Sequence, residues 1–247
     1  MKRGSLALFL STLISAPVFA GPADYVYMPT VEYGEKEIDF KFGTAKEPSG
    51  DTKQVSSLGF GYGATQYWFT EVYLKTEQTG VNPRLNILEW ENKFQLTETG
   101  KYPVEVGLIT ELEYPLNIQG EPAEFKFGPL FQTEINKLQL NGNLLLESKF
   151  GGNSTAPNTT VFQYQWQAKY RWKKEFEFGL QGFGEMGVWN NWAPSNEQEH
   201  KLGPAIFGKI PLRLDGRDAI KYNAAWLIGT TQATPHNTFR MQVEYEF

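Results

Sequence analysis

Residues 160–173 read TVFQYQWQAKYRWK, and this stretch decides the fold. Phe162, Tyr164, Trp166, Ala168, Tyr170 and Trp172 share one parity, and Gln163, Gln165, Gln167, Lys169 and Arg171 share the other. Successive side chains of an extended chain point to opposite faces, so the spacing predicts a strand with one apolar and one polar side. A helix would scatter the same residues around its circumference.

Outward from this segment the alternation repeats in both directions. Ile38, Phe40 and Phe42 alternate with Glu37, Asp39 and Lys41. Trp68, Thr70, Val72 and Leu74 alternate with Phe69, Glu71, Tyr73 and Lys75, and Leu88, Trp90, Phe94 and Leu96 with Glu89, Glu91, Lys93 and Gln95. Further alternating runs occupy 58–62, 104–112, 125–135, 138–146, 176–186, 202–210, 220–228 and 239–247, which gives twelve predicted strands. The links take turns. They are short near 63–66, 98–102, 136–137, 173–175 and 215–218, and longer near 44–52, 78–83, 115–122, 151–159, 190–200 and 231–237. Membrane barrels carry tight turns at one rim and longer loops at the other, and an even strand number returns both chain ends to the tight-turn rim. Pro129 and Pro204 each follow a glycine inside a predicted strand. Proline has no N–H for the ladder, so bulges are expected there.

Parity alone does not say which face is inside. A soluble barrel or sandwich buries its apolar face, whereas a membrane barrel turns that face to lipid. Three features favour lipid. Most segments reach the roughly 9–11 residues that cross a bilayer at a tilt. Aromatic residues gather near segment ends, with Tyr170, Trp172, Phe176, Phe178, Tyr245 and Phe247 toward the short links and Phe125, Phe150 and Phe162 toward the long ones; such belts mark membrane interfaces. The apolar face carries almost no charge, Asn92 being its most polar intruder. The expected fold is all-β, a single closed antiparallel transmembrane barrel of about twelve strands.

The chain of 247 residues begins with Lys2 and Arg3, a short apolar run at 6–14, and Val18-Phe19-Ala20, a small-residue cleavage pattern. Residues 1–20 therefore read as a signal peptide, too short for a spanning helix, with 21–247 as the barrel. Removing two positive charges takes the formal net charge from −5 to −7. With 23 basic against 28 acidic residues, general nucleic-acid binding is not expected. No cysteine and only two histidines leave no thiol chemistry and little scope for a metal cage. The mean hydropathy of −0.43 excludes helical membrane proteins only, because a barrel's alternation keeps the average polar.

The last segment extends this picture. Phe239, Met241, Val243, Tyr245 and Phe247 alternate with Arg240, Gln242, Glu244 and Glu246. This ending resembles the terminal signal of bacterial outer-membrane β-barrel proteins. By that resemblance Val243, Tyr245 and Phe247 would be read by the barrel-assembly machinery, and the surroundings would be outer-membrane lipid. The leader, strand pattern and loop alternation extend the likeness over the whole chain, which is similar in layout to small twelve-stranded channel-like proteins of proteobacteria. Fold does not carry function with it.

The inward parity is dense in charge. Glu71, Glu89, Glu91, Lys93, Glu111, Glu113, Lys169, Arg171, Lys209 and Lys221 are the candidate pore-lining residues. The third to sixth predicted strands are acid-rich and the eighth to eleventh base-rich, so an acidic wall facing a basic one is one expectation; pairing of neighbours along the wall is the other. Inward Phe69, Tyr73, Phe183 and Phe207 could line a ring-binding site or simply fill space. These features support a passive porin-like channel for small polar solutes, with no cofactor, metal or catalytic step. One alternative is a plugged barrel acting through external loops such as Trp189-Asn190-Asn191-Trp192-Ala193-Pro194. Another is an outer-membrane lipid hydrolase using His200 or His236 with Ser195 or Ser154, for which no spacing fixes a triad. Whether residues 21–29 enter the pore stays open at this level.

The topology can be checked directly. In this cysteine-free chain, single cysteines at Ser49, Ser154 and Ser195 are expected to label from outside intact cells, and one at Lys174 is not. Equal labelling at Lys174 would reverse the assignment of the rims.

Overall fold

In the computed structural model, which describes residues 21–153, 159–213 and 218–247, the alternating segments are strands paired antiparallel with their neighbours. They are β1 (Lys36–Lys46), β2 (Thr52–Gly63), β3 (Trp68–Thr79), β4 (Leu85–Gln95), β5 (Glu105–Pro115), β6 (Ala123–Ile135), β7 (Leu138–Phe150), β8 (Thr160–Lys173), β9 (Phe176–Val188), β10 (Asn191–Trp192), β11 (Glu199–Pro211), β12 (Ala219–Gly229) and β13 (Asn237–Glu246). The two-residue β10 only folds back on the end of β9. The other twelve form the wall. β1 pairs on both sides, Phe40 lying opposite Leu58 of β2 and Val243 of β13. Phe247 extends that seam by donating its N–H to Lys36 O at 2.9 Å. The ring has no free edge, as hydrocarbon requires of a spanning sheet. The predicted signal peptide, Ser154 and residues 214–217 of one predicted turn lie outside the described residues.

Burial is inverted relative to a water-soluble protein. Along β1, Glu37, Asp39 and Lys41 are buried while Ile38 and Phe40 are exposed. Asp39 is 0% exposed and Leu74 of β3 is 64% exposed. Charged side chains therefore occupy the interior and the apolar parity forms the outer, lipid-facing surface. The aromatic belt at the short-turn rim is built of rings in contact. Tyr170 and Phe178 lie 5.5 Å apart, Trp172 and Phe176 6.3 Å, and Tyr245 and Phe247 5.4 Å. Asn92 is tolerated on the outer face because its Oδ1 accepts the indole N–H of Trp68 at 3.0 Å, under the stacked Trp68–Phe94 rings. Trp90 likewise donates to Thr70 Oγ1.

Two expectations are corrected. Pro129 and Pro204 make no bulge. Phe127↔Leu146 and Leu130↔Asn143 keep one register across Pro129, and Leu202↔Ile228 and Ala205↔Ala225 keep one across Pro204. The pairing opens for two residues and resumes in register because the preceding glycine lets the backbones close up. A Cβ at Gly128 would stand 1.9 Å from Leu144 O, and one at Gly203 1.9 Å from Trp226 O. The register shifts lie instead between β8 and β9, at Phe162/Gln163 and Tyr170/Lys173. Nor do short and long links alternate strictly. Nine residues, 96–104, join β4 to β5 on the short-turn rim. They form a structured cap, since Gln95 Nε2 donates to Thr97 O and Thr99 Oγ1, Val106 N to Thr97 Oγ1, and Thr133 Oγ1 to Pro103 O.

The seam makes the terminal residue testable. Deleting Phe247 removes the Lys36 hydrogen bond and one belt aromatic. It is expected to lower the yield of folded, heat-modifiable barrel several-fold while the molecules that fold conduct as before; unchanged yield would show that the residue does not contribute to assembly.

Candidate channel lumen

Residues 21–34 contain Pro22 and Pro29 and lack strand-length alternation, and they do not join the wall. They run inside it. Gly21 O accepts from Lys201 Nζ (3.3 Å) at the long-loop end of β11, whereas Gly34 N donates to Gly63 O (2.8 Å) at the short-turn rim. An extended chain sends neighbours to opposite sides. Val26 packs into an apolar patch of Phe183, Ala205, Phe207, Ala225 and Leu227, and Tyr27 into a second patch of Ile109, Leu130 and Leu145. The segment is thus wedged between the β9–β12 wall and the β5–β7 wall. It lies close because the wall carries glycine where it passes: a Cβ at Gly43 would stand 2.1 Å from Pro22 O, and one at Gly63 1.9 Å from Glu32 O. The strand count placed both chain ends at the short-turn rim. That holds for Lys36, but Gly21 lies up inside the lumen.

Two phenols fasten this plug. Tyr25 OH donates to Glu91 at 2.7 Å and Tyr27 OH to Glu111 at 2.5 Å. Burial, then the adjacent Glu91 charge, pushes the Tyr25 phenol well above its ordinary range; burial and Glu111 do the same to Tyr27. Both hydroxyls therefore keep the protons they donate. Lys41 Nζ stands 3.8 Å from the centre of the Tyr25 ring and 3.6 Å from that of Tyr73, clamped between plug and wall. Backbone contacts complete the attachment, with Val31 N donating to Gln95 Oε1 (2.7 Å) and Asn143 Nδ2 to Tyr27 O (3.1 Å).

Behind the plug the wall neutralises itself locally. Lys75 bridges Glu113 (2.7 Å) and Glu77 (3.1 Å), Lys126 bridges Glu111 (2.8 Å) and Glu147 (3.5 Å), and Lys169 meets Glu177 at 3.1 Å. Opposed acidic and basic walls give way to pairing along the wall, because neighbouring strands bring opposite charges within reach more closely than the lumen does. Two carboxylate trios lie close enough to hold a cation, Glu89–Glu111–Glu113 and Glu35–Glu37–Glu246. Lysines already occupy them: Lys75 and Lys126 in the first, Lys221 in the second.

Elsewhere the interior is a belt of amides. Gln132, Gln139 and Asn141 hydrogen-bond one another, Gln167 joins Asn141, and Gln181 donates to Gln167 at 2.7 Å. Arg240, 1% exposed, donates to Gln181 and Asn223 at 2.6 Å each. Asn223 donates to Gln242, and Gln242 to Asp39, which also accepts from Tyr73 OH. Of this belt the sequence placed Asp39, Gln167, Arg240 and Gln242 on the polar parity but named none as lining, and it singled out neither the other amides nor the inward Ile109, Leu130 and Leu145. The signals were present in the alternate amides QLNGN at 139–143 and in the unbroken run Leu144-Leu145-Leu146, which puts a leucine on the polar parity.

Beside the plug a cavity of about 900 Å³ occupies the short-turn half of the lumen, with Met28, Thr30, Val31, Glu32 and Glu35 along its plug side. Of the ten predicted lining residues, Glu71, Lys93, Lys169, Arg171, Lys209 and Lys221 border it. Glu89, Glu91, Glu111 and Glu113 do not; they are buried against the plug and their lysines. Tyr25 and Val26 border its inner end, with Phe69 and Phe207 on its walls, while Tyr73 and Phe183 act as packing. His200 uses both ring nitrogens, Nδ1 with Tyr164 OH (2.8 Å) and Nε2 with Gln198 Oε1 (3.0 Å), so neither of those bonds joins it to a serine. Trp192 of the 189–194 loop stacks on Phe162 at 5.9 Å and belongs to the outer aromatic belt.

No family model and no curated protein matches the chain. Solved structures match it by fold. An outer membrane channel from Pseudomonas putida F1 gives a TM-score of 0.57 at 12% identity, over 92% of this chain and 99% of that one. The KdgM porin gives 0.56 at 10% identity over 85% and 99%, and the NanC porin 0.55 at 9% over 86% and 100%. This chain is built as those outer-membrane barrels are.

The phenol contacts define a measurable latch. Each donates to a carboxylate, an interaction worth roughly 1.5–3 kcal/mol. In a Val26→Cys background, Tyr25→Phe with Tyr27→Phe is expected to speed thiol labelling at position 26 by roughly a hundredfold or more, given ~1.4 kcal/mol per tenfold. An unchanged rate would show that the apolar patches alone hold the plug.

Proposed function

We propose that residues 1–20 direct export and are removed, and that the barrel acts in a bacterial outer membrane as a passive channel for small polar solutes. Residues 21–34 close it in the state described here. The observation that carries this reading is the cavity of about 900 Å³ alongside the plug, bordered on its other sides by acids and bases from round the wall. A barrel serving only to display loops has no use for a polar interior chamber with apolar docking patches for a removable segment. From Tyr25 to Val31 the plug bonds to side chains of the wall, and its backbone pairs with Gly63 next to the chain connection at Lys36, so residues 22–31 can withdraw without breaking the ladder between strands.

The wall suits hydrated solutes. Its amides both donate and accept, and charged and amide side chains face the chamber beside a few apolar ones such as Phe69 and Phe207. Movement through such a lumen is diffusion, with no covalent step. The loop-display reading keeps its exposed tryptophans, although Trp192 stacks on Phe162 of the wall. The hydrolase reading loses a free histidine, because both His200 nitrogens are engaged.

Deleting residues 22–31 is expected to leave a folded barrel and raise mean conductance in a planar bilayer several-fold over the wild type, which should open rarely. Equal steady currents would show that the plug does not close the pore, and no current from either would end the channel reading. In the deletion background, Glu89→Gln with Glu91→Gln is expected to move the reversal potential toward anion selectivity, most at low salt where screening is weakest.

A further inference from the structure

The upper end of the plug lies in a cluster of charges that the channel reading leaves unused. Glu199, at the long-loop end of β11, is 5% exposed, and neither of its carboxylate oxygens has a hydrogen-bond partner among the described residues. The charges that act on it come from Lys201, Glu47, Lys53 and Asp24. Asp24, Glu199, Lys53 and Glu47 act in turn on Lys201. Asp24 also acts on Arg240 and Lys126, and Glu185 feels Glu147 and Lys149 as well as Glu199, so acids and bases here are close to balanced in number. Glu199 is nonetheless buried with both carboxylate oxygens lacking a hydrogen-bond donor among the described residues. Burying such a carboxylate is costly unless a donor or cation accompanies it.

The chain places its own amide at this point. Lys201 Nζ donates to Gly21 O at 3.3 Å, and Asp24 N closes a turn onto the same oxygen at 3.2 Å. A Cβ on Gly21 would stand 2.8 Å from Asp24 Oδ1, so the start of the plug and that carboxylate share the same small space. Glu47 is also buried here, above the end of β1. In the sequence, Gly21 follows the small-residue pattern Val18-Phe19-Ala20.

We infer that the processed amino terminus, a Gly21 α-ammonium, is seated in this cluster, where it partners the Glu199 and Asp24 carboxylates and anchors the upper end of the plug. The inference rests on the reading of residues 1–20 as a cleaved leader. Cleavage is hydrolysis: water adds across the Ala20–Gly21 peptide bond on the export path's leader peptidase, leaving a carboxylate on Ala20 and an ammonium on Gly21. Before cleavage the Gly21 nitrogen is a neutral amide and brings no charge to Glu199 or Asp24. Processing thus supplies both the freedom of the plug to enter the lumen and the charge that holds it there.

The test uses the mature protein, folded in detergent, and an amine-acylating succinimidyl ester. An α-amino group, with an ordinary pKa near 8, normally reacts before lysines do. Mass spectrometry should show a chain starting at Gly21. Its amine should be acylated at least tenfold more slowly in the native barrel than after heat unfolding, with a pH midpoint above the ordinary value. Glu199→Gln and, separately, Asp24→Asn, which lies off the wall and leaves the sheet untouched, should each restore most of the rate and lower the midpoint. A different first residue, equal rates in native and unfolded protein, or no effect of either variant would overturn the inference. Conductance is not read, so a protected amine in a barrel that passes no current would count against the channel reading alone.

Discussion

A chain that spans hydrocarbon must pair its backbone polar groups with itself, and the structure is organised around that requirement. Twelve strands meet it only by closing, so β1 pairs with β13 and Phe247 continues the seam to Lys36. Closure fixes which parity faces inward, and the inward parity is the charged one. The interior must then satisfy its charges without bulk water, which it does by lysines set between carboxylates and by a belt of mutually bonded amides. What space remains is shared between the plug and the chamber beside it.

The wall was legible in the sequence because its rule is local. A period of two, as in 160–173, needs no knowledge of distant residues, and lipid on one side makes the two parities chemically opposite. The inward placement of Glu71, Lys93, Lys169 and their partners followed directly. The plug was not legible in the same way. Residues 21–34 have no period, and their partners Glu91, Glu111, Gln95 and Lys201 lie 64 to 180 positions away. Pro129 and Pro204 misled because the absent N–H was weighed and the glycine before it was not; Gly128 and Gly203 let the backbones approach and the register survive. Opposed charged walls were a fair inference from composition per strand, but ion pairing depends on register across strands, which composition does not contain.

The two sides of the lumen hold the plug by different chemistry. On β4 and β5 it is held by carboxylates that accept from phenols, and an accepted proton cannot be replaced by another carboxylate. On the β7–β8 side it is held by amides such as Asn143 and Gln165, which already bond each other and keep that bond when the plug leaves. Withdrawal therefore exposes charge needing hydration mainly on one wall. That wall is also where Lys41 loses one of its two rings.

The plug enters the wall at Lys36, on the short-turn rim, and points inward from there. Its fifteen residues, 21–35, have a contour length of roughly 50 Å at about 3.4 Å per residue. It behaves as a ligand on a leash: after leaving, it stays at an effective concentration on the order of millimolar near its own site, whatever the amount of protein in the membrane. A solute that competes for the same lumen must match that local concentration or bind the wall more tightly than two tyrosines and a valine do. The resting permeability of the barrel is thus set by a competition in which one contestant can never be diluted away.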